Sequence, residues 1–164
     1  MATCAARLVE CLVRRGETLG TAESCTGGGV GFAVTAVPGA SRVFMGGVVS
    51  YGNRVKRDVL GVAPRILDGV GPVSAECAAA MARGARRVLG VDYAVSVTGV
   101  AGPGGDGGQP AGYVWFGVAT GSGVRTENVV FPGGRDEVRA AAIEHALEMV
   151  CRCLSQSNEN NDIM

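Results

Sequence analysis

Two glycine clusters, each directly after a short apolar run, constrain this chain more than any other feature. Gly27, Gly28, Gly29 and Gly31 follow residues 18–23, and Gly99, Gly102, Gly104 and Gly105 follow residues 93–98. Glycine adopts the left-handed backbone that tight turns need, and the missing Cβ lets main chain come close to a ligand. The first cluster runs into the apolar stretch 30–37, which Pro38 and Gly39 close, so the segment reads as strand, glycine turn, helix. Ligands of open α/β sheets bind beyond strand ends. Both clusters are therefore expected at one rim, where they can face one another. The 27 glycines in 164 residues are more than twice the roughly 7% of average usage.

The rest of the chain supplies the frame for that rim. Ala5, Leu8, Val9 and Leu12 form a helical stripe that ends in Arg14, Arg15 and Gly16, the basic last turn and left-handed stop that helix ends favour. Residues 43–51 are β-rich and nearly uncharged, which predicts a buried strand, followed by a short helix over 53–60. Ser74 is placed to cap a third helix whose Ala78, Met81, Ala82, Ala85 and Leu89 keep helical spacing up to Gly90. Residues 93–98 read as a strand. Residues 99–112 hold seven glycines in fourteen positions, too many for regular structure. Residues 113–119 and 124–131 flank a Gly/Ser turn and predict an antiparallel hairpin. A last helix is expected over 135–154, with the polar, aperiodic residues 155–164 as a frayed tail. This order predicts one three-layer α/β/α domain over residues 1–154, with a mixed, partly parallel sheet and a carboxy-terminal antiparallel hairpin.

Charge and cysteine usage exclude several function classes. Fifteen basic residues balance fifteen acidic ones, so the chain lacks the field that draws in nucleic acid or an acidic membrane surface. No stretch of about 18 strongly apolar residues occurs. The first apolar pattern is broken by Arg7, Glu10, Arg14 and Arg15, unlike a secretory leader, and a cytoplasmic location is expected. Cys4, Cys11, Cys25, Cys77, Cys151 and Cys153 form no CxxC pair, and His145 is the one histidine. Zinc spacings are missing, so reduced thiols and no metal are expected. Small apolar helix faces suit a homodimer.

Several residues suggest chemistry. Ser24, at a strand end beside Cys25, Thr26, Gly27 and Gly28, can serve as a helix cap or as a nucleophile with backbone N–H donors near Gly27 for an oxyanion. Cys25 is a rival nucleophile; adjacent residues on an extended segment point oppositely, so one of the two is expected to be buried. Lys56 is the only lysine beside fourteen arginines. Arginine stays charged, whereas a desolvated lysine can lose its proton and activate a hydroxyl. Tyr51, at a predicted strand end, can relay a proton or orient the amine; it can equally be an edge aromatic, as Lys56 can be a surface residue. His145 falls with Glu148 and Arg152 on the charged side of the last helix, which leaves a Ser/His/Asp triad without its base. GxxxxGK[ST] is absent, because Val55 precedes Lys56, and GxGxxG fails at the first cluster, where Phe32 follows Gly27 and Gly29. Thr98, Gly99, Ala101 and Gly102 offer open backbone to a phosphate or polar ring, and Arg135 at a helix start can pair with a phosphate.

The blocks TAESCTGG (residues 21–28), VPGAS (37–41), VSYGNRVK (49–56), LGV (60–62), GPVS (71–74) and TGVAGPGG (98–105) resemble, in order, the carboxy-terminal CinA family of nicotinamide-nucleotide amidases. The likeness runs from Leu8 to about Leu154. It implies deamidation of nicotinamide mononucleotide to nicotinate mononucleotide and ammonia, with Ser24 as nucleophile and Tyr51 and Lys56 handling the proton. It also implies that Thr26, Gly27, Gly28, Thr98, Gly99, Ala101, Gly102 and Arg135 hold the nucleotide, without metal or cofactor. The chain reads YGNRVK where the family usually has YSNEAK, and its loop after GPGG is shorter. Larger relatives carry a further amino-terminal domain, so the chain resembles a stand-alone amidase. A noncatalytic pyridine- or adenine-nucleotide-binding module is the alternative from another class.

Overall fold

The computed structural model describes residues 3–161. In chain order it contains α1 (Cys4–Arg15), β1 (Leu19–Glu23), α2 (Gly29–Thr35), β2 (Phe44–Val49), α3 (Asn53–Asp58), α4 (Pro64–Asp68), α5 (Ala75–Leu89), β3 (Tyr93–Gly99), β4 (Tyr113–Thr120), β5 (Gly123–Val130) and α6 (Arg135–Asn161). The strands form one sheet in the order β2-β1-β3-β4-β5. β1 runs parallel to both β2 and β3, and β3, β4 and β5 pair antiparallel. The sheet is mixed, as the sequence predicts.

Strand periodicity sorts side chains onto the two faces. Leu19, Tyr93, Val95 and Val97 join the core under α1, α2 and α6, while Ala22 and Ala94 join a second core with Met81 and Ala85 of α5. α5 can lie close because it faces the sheet with small residues; a Cβ at Gly117 of β4 would stand 2.7 Å from the Ala78 carbonyl oxygen. The helix caps follow the sequence. Gly16 and Gly90 are left-handed at the ends of α1 and α5, and Ser74 Oγ accepts from the Cys77 N–H at 3.1 Å.

Four differences from the sequence reading have physical reasons. β2 is the outer strand rather than a buried one, because only β1 pairs with it; its burial alternates, with Met45 and Val49 exposed. The short helix α4, started by Pro64, is too brief to show periodicity. The last helix continues past residue 154 to Asn161, through part of the stretch expected to fray; residues 162–164 lie outside the described residues. His145 is half-buried rather than wholly on the charged face: its ring packs 4.5 Å from Phe116 and 5.9 Å from Phe131, while Nε2 lies 2.8 Å from Glu127 Oε1 on β5, the carboxylate that Arg152 also meets. Among the described residues, no helix is long and apolar enough to cross a membrane.

Candidate active site

The parallel strands bring three chain segments to one rim. β1 ends at Glu23, and the next N–H, that of Ser24, donates to Val97 O of β3 at 2.9 Å. On the other side the Ser50 N–H donates to Glu23 O at 2.7 Å. Beyond these strand ends lies a cavity of about 350 Å³, within the roughly 300–1,000 Å³ range of small-molecule sites. Ser24, Cys25, Tyr51, Asn53, Lys56 and Arg135 line it, opposite the glycine-rich loop from Thr98 to Asp106 and the pair Pro72 and Val73. Of the two glycine clusters only the second lines the cavity; Ser24 and Cys25, just ahead of the first, face it in that cluster's place.

Lys56 governs the electrostatics of this cavity. It sits near the end of α3 and is the largest fully buried side chain, 1% exposed. Its Nζ lies 3.1 Å from Ser24 Oγ, 2.7 Å from Ser50 O and 3.2 Å from Tyr51 O. No acidic residue pairs with it within the described residues, and burial lowers its pKa below the ordinary lysine value, because desolvation penalises the ammonium. A neutral amine has two N–H donors and one lone pair. With the two carbonyls taking its donors, the lone pair is left for the Ser24 hydroxyl proton.

Cys25 is set up differently. It is buried and packs into the core with Val30, Val34 and Val97, as expected of one of the pair, while both residues also border the cavity. Desolvation pushes the Cys25 thiol up to about 11, against the pull of its own N–H and of Lys56. The thiolate is therefore scarce near neutral pH.

Tyr51 meets this centre through its main chain. Its carbonyl holds Lys56, while its half-exposed ring projects to the cavity mouth, where Arg135 Nη2 donates to the phenolic oxygen at 3.1 Å. Arg135 Nη1 donates to Gly102 O at 2.7 Å, tying the start of α6 to the glycine loop. Thr98 is buried, and its hydroxyl is spent on Pro72 O at 2.7 Å; Gly99, Ala101 and Gly102 line the cavity through their backbone.

Thr26, Gly27 and Gly28 are not among the lining residues. The Gly27 N–H donates to Ser24 O at 3.0 Å and the Gly28 N–H to Glu23 Oε2 at 3.1 Å. Thr26 is fully buried, and its hydroxyl finds no partner among the described residues. These three residues shape the turn behind Ser24, and the N–H groups of Gly27 and Gly28 are already engaged.

Sequence reasoning gave several participants no role, Glu23 among them although it opens the segment 23–28. Glu23 accepts three backbone N–H groups beside the nucleophile candidate. Arg139 of α6 clamps the turn, donating to Cys25 O and Thr26 O at 3.2 Å each. Asn53 and Asp106 line the cavity. Only Glu23 carried a sequence signal, as an acidic residue placed shortly before a glycine-rich helix start; one arginine among fourteen carried none.

The fold and the buried amine–hydroxyl pair define an α/β domain with a polar rim cavity, a class shared by many unrelated activities. The comparisons narrow it: the chain belongs to the CinA family, since the pattern of the CinA C-terminal domain matches residues 1–154. A CinA-like protein of Synechococcus sp. (strain RCC307) is 50% identical over 139 residues, covering 83% of this chain and 33% of that protein. A CinA-like protein of Pseudothermotoga lettingae is 39% identical over 149 residues, 90% of this chain and 37% of that protein. The chain thus spans about a third of the length of these curated relatives. The crystal structure of the competence/damage inducible protein CihA from Agrobacterium tumefaciens matches with a TM-score of 0.89 at 39% identity, covering 93% of each chain. A CinA superfamily protein from Klebsiella pneumoniae matches with a TM-score of 0.90 at 34% identity, covering 93% of this chain and 96% of that one.

Proposed function

We propose that the chain is an amidohydrolase that converts nicotinamide mononucleotide to nicotinate mononucleotide and ammonia through a Ser24 nucleophile. The observation that carries this reading is the 3.1 Å approach of the buried Lys56 Nζ to Ser24 Oγ. Neutral Lys56 takes the hydroxyl proton as Ser24 Oγ forms a bond to the carboxamide carbon. The tetrahedral intermediate then expels ammonia: the carbon–nitrogen bond breaks and the leaving nitrogen takes the proton back from Lys56. Water attacks the resulting acyl-enzyme by the same route, with Lys56 again accepting and returning a proton, and the free acid leaves.

The nucleotide end fits the far side of the cavity. The backbone of residues 99–105 gives a sugar and phosphate unhindered approach. Arg135 spends two donors on Gly102 and Tyr51, and a guanidinium has five, which leaves donors for a phosphate. Thr26, Gly27 and Gly28 take no part in binding in this reading, and Tyr51 acts through its carbonyl on Lys56 and its hydroxyl on Arg135.

Incubation of purified protein with nicotinamide mononucleotide, followed by ammonia measurement, tests the reading. Ammonia and nicotinate mononucleotide in equal amounts are expected, with a much weaker response to the riboside. Saturable binding of the nucleotide with no ammonia at any pH between neutrality and the lysine range would replace this reading with the noncatalytic binding module.

A further inference from the structure

Glu23 is 1% exposed and belongs to none of the ion pairs among the described residues. A carboxylate so placed is costly unless donors surround it. Its Oε2 accepts from the N–H groups of Gly28 and Val30 at 3.1 and 3.0 Å, and its Oε1 from that of Gly31 at 2.9 Å. These donors are the ones that a strand–turn–helix segment would otherwise offer to an anion. The remaining N–H groups of the turn can be followed one by one. That of Ser24 goes to Val97 O, that of Gly27 to Ser24 O, and that of Gly29 to Thr26 O. Between residues 24 and 31, only the N–H groups of Cys25 and Thr26 donate to no neighbouring residue among those described.

Those two groups directly follow the nucleophile candidate, and their directions are fixed. In a trans peptide the C=O and N–H point opposite ways. Ser24 O is held inside the turn by Gly27, so the Cys25 N–H of the same peptide points out of it. Cys25 O is held by Arg139 of α6, so the Thr26 N–H points away from that arginine. A donor one residue after the nucleophile is where strand–turn–helix hydrolases stabilise their oxyanion.

We propose that Glu23 is a positioning residue: by taking the N–H groups of Gly28, Val30 and Gly31 it fixes the turn in which that of Cys25, which lines the cavity while Thr26 is sealed from it, stands free to receive the oxyanion formed at Ser24. The proposal rests on Ser24 being the nucleophile. A fluorophosphonate separates the two. Ser24 Oγ forms a bond to phosphorus as the phosphorus–fluorine bond breaks, fluoride leaves with the proton passed to Lys56, and the phosphonyl oxygen occupies the oxyanion position. Ser24 labelling in the wild type, followed by intact mass and peptide mapping, is expected to slow at least about tenfold in Glu23→Gln, with part of the rate returned in Glu23→Asp, which keeps both oxygens. In the labelled wild type, the amide proton signal of Cys25 is expected downfield, with those of Gly28, Val30 and Gly31 unmoved.

A wild type that labels at Ser24 while Glu23→Gln labels within twofold of it overturns the positioning role alone. Downfield shifts at Gly28 or Val30 in place of Cys25 also overturn it, and this wild-type spectrum decides the matter if Glu23→Gln does not fold. A wild type unlabelled at Ser24 removes the nucleophile, and the positioning role with it.

Discussion

Lys56 Nζ stands 3.1 Å from Ser24 Oγ across 32 residues of sequence, and the same nitrogen is held by the carbonyls of Ser50 and Tyr51. The amine is thus aimed by main chain at the end of β2, a support that side-chain substitutions at the rim leave in place. Ser24→Ala removes the attacking oxygen and is expected to lower amide turnover at least about a thousandfold, with a melting temperature close to wild type. Lys56→Arg keeps the charge and removes the base, so a similar loss is expected. Cys25→Ala, by contrast, should keep turnover within about fivefold, because a thiol pushed up to about 11 supplies little thiolate. Ammonia release by the three variants checks the assignment; loss confined to the cysteine variant would move the nucleophile to sulfur.

The lowered pKa of Lys56 gives the reaction a direction in pH. The neutral amine is the active form, so kcat/KM should rise with pH and level off below the ordinary lysine range. Stability follows the same sign. Over the window between the folded pKa and the ordinary one, the unfolded chain binds the proton that the folded chain does not, so unfolding free energy rises with pH there. The contribution is fully present above the unfolded pKa and is lost as pH falls through the folded pKa. Denaturant titrations across this window should show the slope in wild type and a shallower one in Lys56→Met. An activity profile that falls with rising pH would contradict a lysine base.

The reach of the sequence is clearest where residue type alone decides. A single lysine beside fourteen arginines stood out because only lysine can be neutral near pH 7, and Ser24 stood out because glycines follow it. Gly27 and Gly28 show the limit of the same signal: glycine marks open backbone but does not say which acceptor takes its N–H, and here Ser24 and Glu23 do. Apolar composition placed residues 43–51 in a strand but could not tell an outer strand from an inner one, since that depends on the pairing of distant segments. His145 was read from its helix neighbours alone; it does share Glu127 with Arg152, but Phe116 and Phe131, which half-bury its ring, come from or follow the hairpin.

Tyr51 and Arg135 meet hydroxyl to guanidinium at the cavity mouth, which separates binding from proton transfer. Tyr51→Phe removes the acceptor for Arg135 but leaves the carbonyl that holds Lys56. Its KM for nicotinamide mononucleotide should rise several-fold with kcat little changed. Arg135→Ala should raise KM for the nucleotide by about tenfold or more, the worth of a charged hydrogen bond to phosphate, and leave the weak riboside reaction unchanged. Steady-state kinetics on both substrates measure this split. A collapse of kcat in Tyr51→Phe would instead return the phenol to the proton path.

Gly84 shows how the helix layer on the far face reaches the site. It lies in α5, and a Cβ there would stand 2.0 Å from the Leu60 carbonyl oxygen and 2.7 Å from its carbon. Both are backbone atoms, which no rotamer change relieves. Gly84→Ala gains about 1 kcal/mol of helix propensity, yet it must push Leu60 away from a close-packed core. A net loss of about 1–3 kcal/mol is expected. The displaced segment follows Lys56 directly and returns to it through the Val62 N–H, which donates to Lys56 O at 3.0 Å. The movement should therefore reach the Lys56 to Ser24 approach, so turnover should fall while KM holds. Gly52→Ala is the control: its φ is −86° and its Cβ would meet nothing within 4 Å, so it should cost less than about 1 kcal/mol. Denaturant unfolding and kinetics of the two variants separate a tight helix approach from a general intolerance of substitution at glycine.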